Sequence, residues 1–295
     1  MIEIEAFVAV ADAGAFTRAA ARLYLSQPAV SRRIELLERE VGAPLFERTP
    51  RGARLTDAGH AFLPHARQVL AAVRDGADAV HAVANEDRGV VSLALVGTLA
   101  STPLTARLRA FRDSYPNIRL SLRTARSSEV STLVSGGDVH LGLRYGDDAS
   151  SNLTTRHVHD EQLLVVCAAA STLVNTRADD PGALAGVPWV AFPLGEGTIN
   201  EPFVRALERL LLRHGLDDAD VTVADSLTAQ KRLIEADFGI GLLPLSSIEE
   251  ELRLGTLQTL PIRDFEAALP VYLLQRRQAF LSKATLRLLE TLATP

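Results

Sequence analysis

The stretch Ser26-Gln27-Pro28-Ala29-Val30-Ser31-Arg32-Arg33-Ile34-Glu35-Leu36-Leu37-Glu38 decides how the first part of the chain folds. Ser26 supplies a hydroxyl suited to cap a helix, and Pro28 falls in the first turn, where its missing N–H costs nothing. Val30, Ile34 and Leu37 recur at helical spacing and form one apolar stripe. At 100° per residue, Arg32 and Glu35 point away from that stripe, while Gln27, Pro28 and Ser31 occupy the opening turns that a groove-inserted helix presents to base edges. Upstream, Ile4, Phe7, Val8 and Ala11 mark a first helix. Thr17 is placed to cap a second, in which Ala19 and Ala20 allow close packing beside Leu23. Downstream, Leu45-Phe46-Glu47-Arg48-Thr49-Pro50-Arg51-Gly52-Ala53-Arg54-Leu55-Thr56 suits two short strands around a Pro-Arg-Gly turn. The pattern is a helix-turn-helix with a wing.

Charge supports this reading locally and opposes it globally. The chain of 295 residues has a formal net charge of −5, unfavourable for a nucleic-acid partner. Yet residues 13–34 carry Arg18, Arg22, Arg32 and Arg33 without an acid, and residues 48–56 carry Arg48, Arg51 and Arg54 without one. Placed together on a capped helix and its wing, Arg32, Arg33, Arg48, Arg51 and Arg54 suit groove and phosphate contact better than a merely solvated surface. Lys231 and Lys283 are the only lysines, so the forked guanidinium carries most anion recognition.

From Thr56, a second capping candidate, Phe62, Ala66, Val69, Val73, Gly76, Val80 and Val83 repeat at 4, 3, 4, 3, 4, 3, the 3.5-residue period of a coiled coil. A dimerising helix follows, with packing on the same subunit as the alternative; Pro64 should bend it near its start. Residues 88–295 alternate strand-like and helix-like segments, an α/β pattern. Ile118–Ala125, Ser128–Ser135 and Val139–Leu143 match Val221–Ala224, Leu227–Ala236 and Ile240–Leu243 in order, which implies two similar lobes. Ser127, Ser128 and Ser226 lie between a strand end and a helix start, where free N–H groups favour a small anion in a cleft between lobes. The expected division is 1–58 for the DNA-binding module, 59–87 for the linker helix and 88–295 for the effector part. Within that part, lobe I spans 88–160 and 267–295, and lobe II spans 161–266.

The length admits a sizeable core and more than one folding unit, and a composition of 47% hydrophobic and 23% charged residues excludes fibrous and disordered classes. No run reads as a membrane span, since Gly97, Pro103 and several Ser and Thr interrupt the charge-free stretch 89–106. The acidic start and the single Cys167 suggest a cytoplasmic protein without an internal disulfide. No G-x-S-x-G, Walker, H-E-x-x-H or C-x-x-C motif occurs, so no enzyme, cofactor or metal site is expected. His157 and His159 would share a strand face as a metal pair, but no third ligand is identifiable. Cys167, inside an apolar run, reads as an inert small hydrophobe, with redox sensing as the alternative. Arg144 follows a strand at a mouth position, where it would either hold a ligand carboxylate or lie in a surface loop. A two-lobed small-molecule carrier whose N-terminal module only mediates assembly is the competing function.

The segments Phe16–Leu23, Ser26–Glu38, Leu45–Arg48 and Leu55–Gly59 resemble the LysR-type transcriptional regulators, and Phe111–Pro116 and Gly239–Pro244 extend the likeness along the chain. The resemblance implies a winged helix-turn-helix, a linker helix pairing subunits, and two α/β lobes like those of periplasmic binding proteins. It implies a dimer of dimers on double-stranded DNA with an interrupted palindromic operator, with RNA polymerase as a further partner. By that pattern Gln27, Pro28, Ser31 and Arg32 contact bases or adjacent phosphates, Thr17 contacts the backbone and Arg51 is the wing residue. Gln27 suits adenine and Arg32 guanine. The matching effector positions are Thr98, Ser101, Ser127, Ser128 and Phe192. The effector itself is not implied.

Overall fold

The computed structural model describes residues 1–49, 52–84, 89–175, 181–194, 201–265 and 267–293. It divides into two compact units, one built around Met1–Ala84 and one around residues 89–134, 139–277 and 283–293.

The first unit runs α1 (Ile2–Ala13), α2 (Phe16–Arg22), α3 (Gln27–Val41), β1 (Phe46–Thr49), β2 (Gly52–Leu55) and α4 (Asp57–Ala84). Gly14 ends α1 in the left-handed conformation, φ 63°, which lets the chain reverse without a Cβ penalty. The buried face of α1 is Ala6, Phe7, Ala9 and Val10, one residue out of phase with the Ala11 stripe expected from spacing. Phe7 is the reason: its ring meets Phe46 at 5.3 Å and Phe62 at 5.2 Å, and this aromatic group fixes the rotation of the helix. Thr17 does not cap α2, which starts earlier behind extended Ala15; Thr17 lies in the first turn and is exposed. Ser26 does cap α3, its hydroxyl accepting from Ala29 N at 3.4 Å, and Val30, Ile34 and Leu37 are buried as the stripe requires. The strands pair antiparallel, Phe46 opposite Leu55 and Thr49 opposite Gly52. Glu38 holds them to α3: its Oε1 accepts from Leu45 N at 2.7 Å and Phe46 N at 3.2 Å. Thr56 Oγ1 accepts from Gly59 N at 3.0 Å and starts α4, which contains Pro64.

The second unit runs β3 (Gly89–Val96), α5 (Thr102–Ser114), β4 (Ile118–Ala125), α6 (Ser127–Ser135), β5 (Leu141–Tyr145), β6 (Leu153–Ala168), β7 (Trp189–Ala191), α7 (Pro202–Arg213), β8 (Val221–Val223), α8 (Leu227–Glu235), β9 (Gly241–Pro244), α9 (Leu245–Leu254), β10 (Leu257–Thr259), β11 (Ala267–Arg276) and α10 (Lys283–Ala293). Seven strands form one sheet in the order β10-β6-β11-β5-β3-β4, with β9 also on β6. At one end β3 pairs in parallel with β4 and β5, linked through α5 and α6. At the other, β7 pairs in parallel with β8 and bridges Ile240 in parallel, linked through α7 and α8. The long antiparallel pair β6 and β11 carries both ends. The two strand-helix-strand halves are the quasi-repeat of the sequence. Gly142 of β5 is required by packing, because a Cβ there would lie 2.7 Å from Val134 and 2.8 Å from Val130.

Candidate functional site

In the first unit, α3 presents Pro28 and Arg32 exposed at its N-terminal half, and Gln27 and Arg33 half-buried. Ser31 is 8% exposed, and its Oγ accepts from Gln27 Nε2 at 3.0 Å. It therefore orients the Gln27 amide more than it faces outward, leaving Gln27 Oε1 and one N–H for an adenine edge. Arg54 is exposed on β2 and Thr17 on α2. Arg51, the expected wing residue, lies outside the described residues. Not all arginines of the two acid-free patches are available. Arg18 donates through Nε and Nη2 to the Ala13 carbonyl at 2.8 and 2.5 Å, capping the end of α1, and Arg22 lies 3.7 Å from Asp12. Arg32 and Arg54 form no ion pair among the described residues.

On α4 the first members of the 3.5-residue seam, Phe62 and Ala66, pack into the core of their own unit. From Val69 onward the seam is open: Val69, Val73 and Val80 are 45%, 48% and 70% exposed, whereas Leu70 and Ala71 beside them are buried. A valine row on one side of a long helix, left to water by its own subunit, is what a partner helix covers.

In the second unit a cleft of about 800 Å³ opens beside the C-terminal ends of β3, β4 and β8 and the starts of α5 and α8. Of the sequence-expected positions, Thr98, Ser101 and Phe192 line it. Thr98 Oγ1 donates to the Tyr145 hydroxyl at 3.0 Å, and burial pushes the phenol well above its ordinary range. Ser127 and Ser128 stand differently from expectation. The start of α6 is already occupied by a carboxylate of the chain itself: Ser127 N donates to Glu201 Oε2 at 3.0 Å and Ser128 Oγ to Oε1 at 3.1 Å. A helix N-terminus favours negative charge, and Glu201, at the N-cap of α7, supplies it. Arg144 is neither a mouth residue nor a surface one. It is 8% exposed, and its Nη1 donates to Ser131 Oγ at 2.6 Å and Asp148 Oδ2 at 2.8 Å while Nε donates to the Tyr145 carbonyl. Burial lowers the guanidinium pKa, and Asp148, Glu201 and Asp147 oppose that shift. Burial likewise opposes the Asp148 charge, but hydrogen bonds from Ser131 and Ser150 and the nearby Arg144 outweigh it and hold the carboxyl below its ordinary value of 3.8.

Sequence reasoning passed over three cleft residues: Glu201, Lys231 and Glu251. Lys231 Nζ sits 2.6 Å from Glu251 Oε1 and donates to the Ser247 carbonyl at 3.1 Å. One of two lysines in the chain was a signal in itself, but its partner is on the next helix and no spacing rule links them. The two histidines do not converge on a metal. His157 Nε2 lies 2.8 Å from Asp160, His159 lies 3.7 Å from Glu161, and the register of β6 against β11 shifts between them. No group of three or more His, Cys, Asp or Glu among the described residues is placed to hold a metal ion. Cys167 is fully buried, and burial pushes its thiol up to about 11. Among the described residues no helix is long and apolar enough to cross a membrane.

A winged helix-turn-helix joined to a two-ended α/β unit with a central cleft defines a ligand-responsive DNA-binding regulator. Two family models match and settle which kind: the bacterial regulatory helix-turn-helix protein of the lysR family over residues 2–60, and the LysR substrate binding domain over residues 84–294. The chain belongs to the LysR family of transcriptional regulators, proteins that bind small-molecule effectors and are not enzymes. It is 32% identical to the HTH-type transcriptional regulator TfdS of Cupriavidus pinatubonensis over 92% of this chain and 90% of that protein. Among solved structures it is similar to full-length CbnR complexed with its target DNA, at 26% identity, a TM-score of 0.61 and coverage of 99% of this chain and 98% of that one. ArgP from Mycobacterium tuberculosis shares the fold with a TM-score of 0.70 at 20% identity, over 99% and 96% of the two chains.

Proposed function

We propose that α3 enters the major groove, where Gln27, Pro28 and Arg32 read base edges and Ser31 holds Gln27 in place. Thr17, Arg33, Arg51 and Arg54 contact the phosphates on either side. The observation that carries this is the Ser26-capped first turn of α3, which presents a Gln27 amide oriented by Ser31 and, just over a turn further on, an exposed Arg32 with no ion pair among the described residues. The division of labour is 1–58 for DNA, 59–87 for dimerisation and 88–295 for the effector, with lobe I at 88–160 and 267–295 and lobe II at 161–266.

Two such modules paired through the α4 valine seam form a symmetric dimer, and two dimers an assembly that reads an interrupted palindrome in the cytoplasm, with RNA polymerase as the further partner. A small effector in the cleft touches Thr98, Ser101 and Phe192 and shifts the two ends of the α/β unit. Ser127, Ser128 and Arg144 act from behind, through Glu201 and through the packing of α6. Subunit geometry, and with it the bend or register of bound DNA, changes in response.

Fluorescence anisotropy tests the DNA half of the reading, using the DNA upstream of the protein's own gene and a shuffled duplex at several salt concentrations. Tighter binding to the true fragment that falls steeply with salt is expected. Arg32→Ala should bring the two duplexes together in affinity, with a loss of about 1–3 kcal/mol on the true site. No binding to either duplex at low salt would overturn the assignment of α3 and the wing as the DNA-reading surface.

A further inference from the structure

The cleft wall is acidic. Its charged side chains are Glu129, Glu201, Asp225, Glu250 and Glu251 against Arg126 and Lys231. Several are committed within the chain. Glu129 pairs with Arg123 at 3.2 Å, Glu201 is seated on the start of α6, and Lys231 is drawn to Glu251 Oε1 and the Ser247 carbonyl. Of the helix starts around the cleft, that of α6 is thus occupied by one of the chain's own acids, and Asp225 immediately precedes the Ser226 N-cap of α8. Glu251 is different in kind. It is 6% exposed, and its second oxygen, Oε2, is buried and receives no hydrogen bond from any described residue. A buried carboxylate oxygen without a donor is unfavourable, and the group that best relieves it is a cationic N–H. Glu250, beside it on α9 and exposed, adds a second negative charge along the same wall.

We propose that the effector of this regulator is a small molecule bearing a primary ammonium group, which donates to Glu251 Oε2 and is held electrostatically by Glu250. This rests on reading the cleft as the effector site. The Lys231–Glu251 pair then works as a polarised clamp: Lys231 neutralises one oxygen of the carboxylate and fixes its orientation, and the other is left for a donor that reaches it from the cleft. A ligand whose charge is only a carboxylate meets an excess of acids and finds the α6 start filled.

Thermal unfolding of the full-length protein, with the emission of its single tryptophan, Trp189, as a second signal, distinguishes the charge classes. The probes are putrescine, cadaverine and benzylamine against glutarate and benzoate, all at millimolar concentration. At least one amine should raise the unfolding temperature and shift the tryptophan emission, while the two carboxylates leave both unchanged. Glu251→Gln should weaken the active amine about tenfold, the worth of a charged hydrogen bond. The exposed Glu250→Gln, which puts no buried contact at risk, should weaken it several-fold. Stabilisation by glutarate or benzoate and not by amines overturns the assignment. So does a response to none of the five probes, or full amine affinity in both variants. None of these outcomes bears on DNA binding, whose specificity and salt dependence test the regulator reading separately.

Discussion

Gly52 shows how tightly single positions are specified. Its φ of +131° is a conformation that side-chain-bearing residues rarely adopt, and a Cβ there would lie 2.3 Å from the Gly14 carbonyl oxygen. The same carbonyl accepts from Ala53 N at 2.9 Å, so the wing is stitched to the end of α1 at a place where only glycine fits. Gly52→Ala should destabilise the DNA-binding unit by about 2 kcal/mol or more, measured by urea unfolding, and weaken DNA binding by displacing the wing. Cys167 gives a contrasting expectation. Fully buried in β6 with its thiol pushed up to about 11, it should not react with a thiol reagent in the native protein at pH 8 and should react at once in denaturant. Asp148 carries a pH dependence. Its folded pKa lies below the ordinary 3.8, so the stability it contributes is fully present above that value and is lost as pH falls through the folded one. Urea midpoints of the wild type should therefore drop as the solution is taken from pH 5 to pH 3. Asp148→Asn should lower the midpoint at pH 5 and flatten the dependence.

Elements are held by single polar side chains at their ends as much as by their apolar faces. Ser26 starts α3, Thr56 starts α4, and Glu38 near the end of α3 accepts from two backbone N–H groups of the wing. Each orphan donor satisfied this way fixes where the next element begins. For α4 the unmet requirement is apolar. Replacing Val69 and Val73 together by Lys keeps helix propensity while putting charges into the seam. The doubly substituted protein should sediment at no more than half the mass of the wild-type assembly, and its affinity for a two-half-site operator should fall at least a hundredfold. An unchanged mass would remove the valine row from the subunit interface.

Across the whole molecule the relevant quantity is the separation of charge. A chain of net charge −5 can bind DNA where the local charge departs from the sum: residues 13–34 and 48–56 together carry seven arginines and no acid, while the cleft wall holds five acids against two bases. Specific affinity should therefore depend on salt through a small set of contacts. Arg54→Ala should lower the slope of log affinity against log salt by about one and reduce binding to true and shuffled duplexes alike. A slope that stays the same would remove Arg54 from the interface.

The sequence by itself determined the local pieces. The period of Val30, Ile34 and Leu37, the capping serine, the turn residues around Gly52 and the 4, 3 spacing after Phe62 are short-range signals, and short-range physics decides helices, caps and hairpins. Two elements were misread where tertiary contact overrides local preference: Phe7 rotates α1 toward Phe46 and Phe62, and α2 begins before Thr17. The cleft was legible in outline from the quasi-repeat and the resemblance, but its chemistry was not. Ser127 and Ser128 meet a carboxylate 73 or more residues away, Lys231 meets Glu251 on the following helix, and Arg144 turns inward to Ser131 and Asp148. Such pairings depend on which loops the sheet brings together, and a buried charge takes whatever partner lies within hydrogen-bond reach; that proximity is a property of the folded chain and of no segment within it.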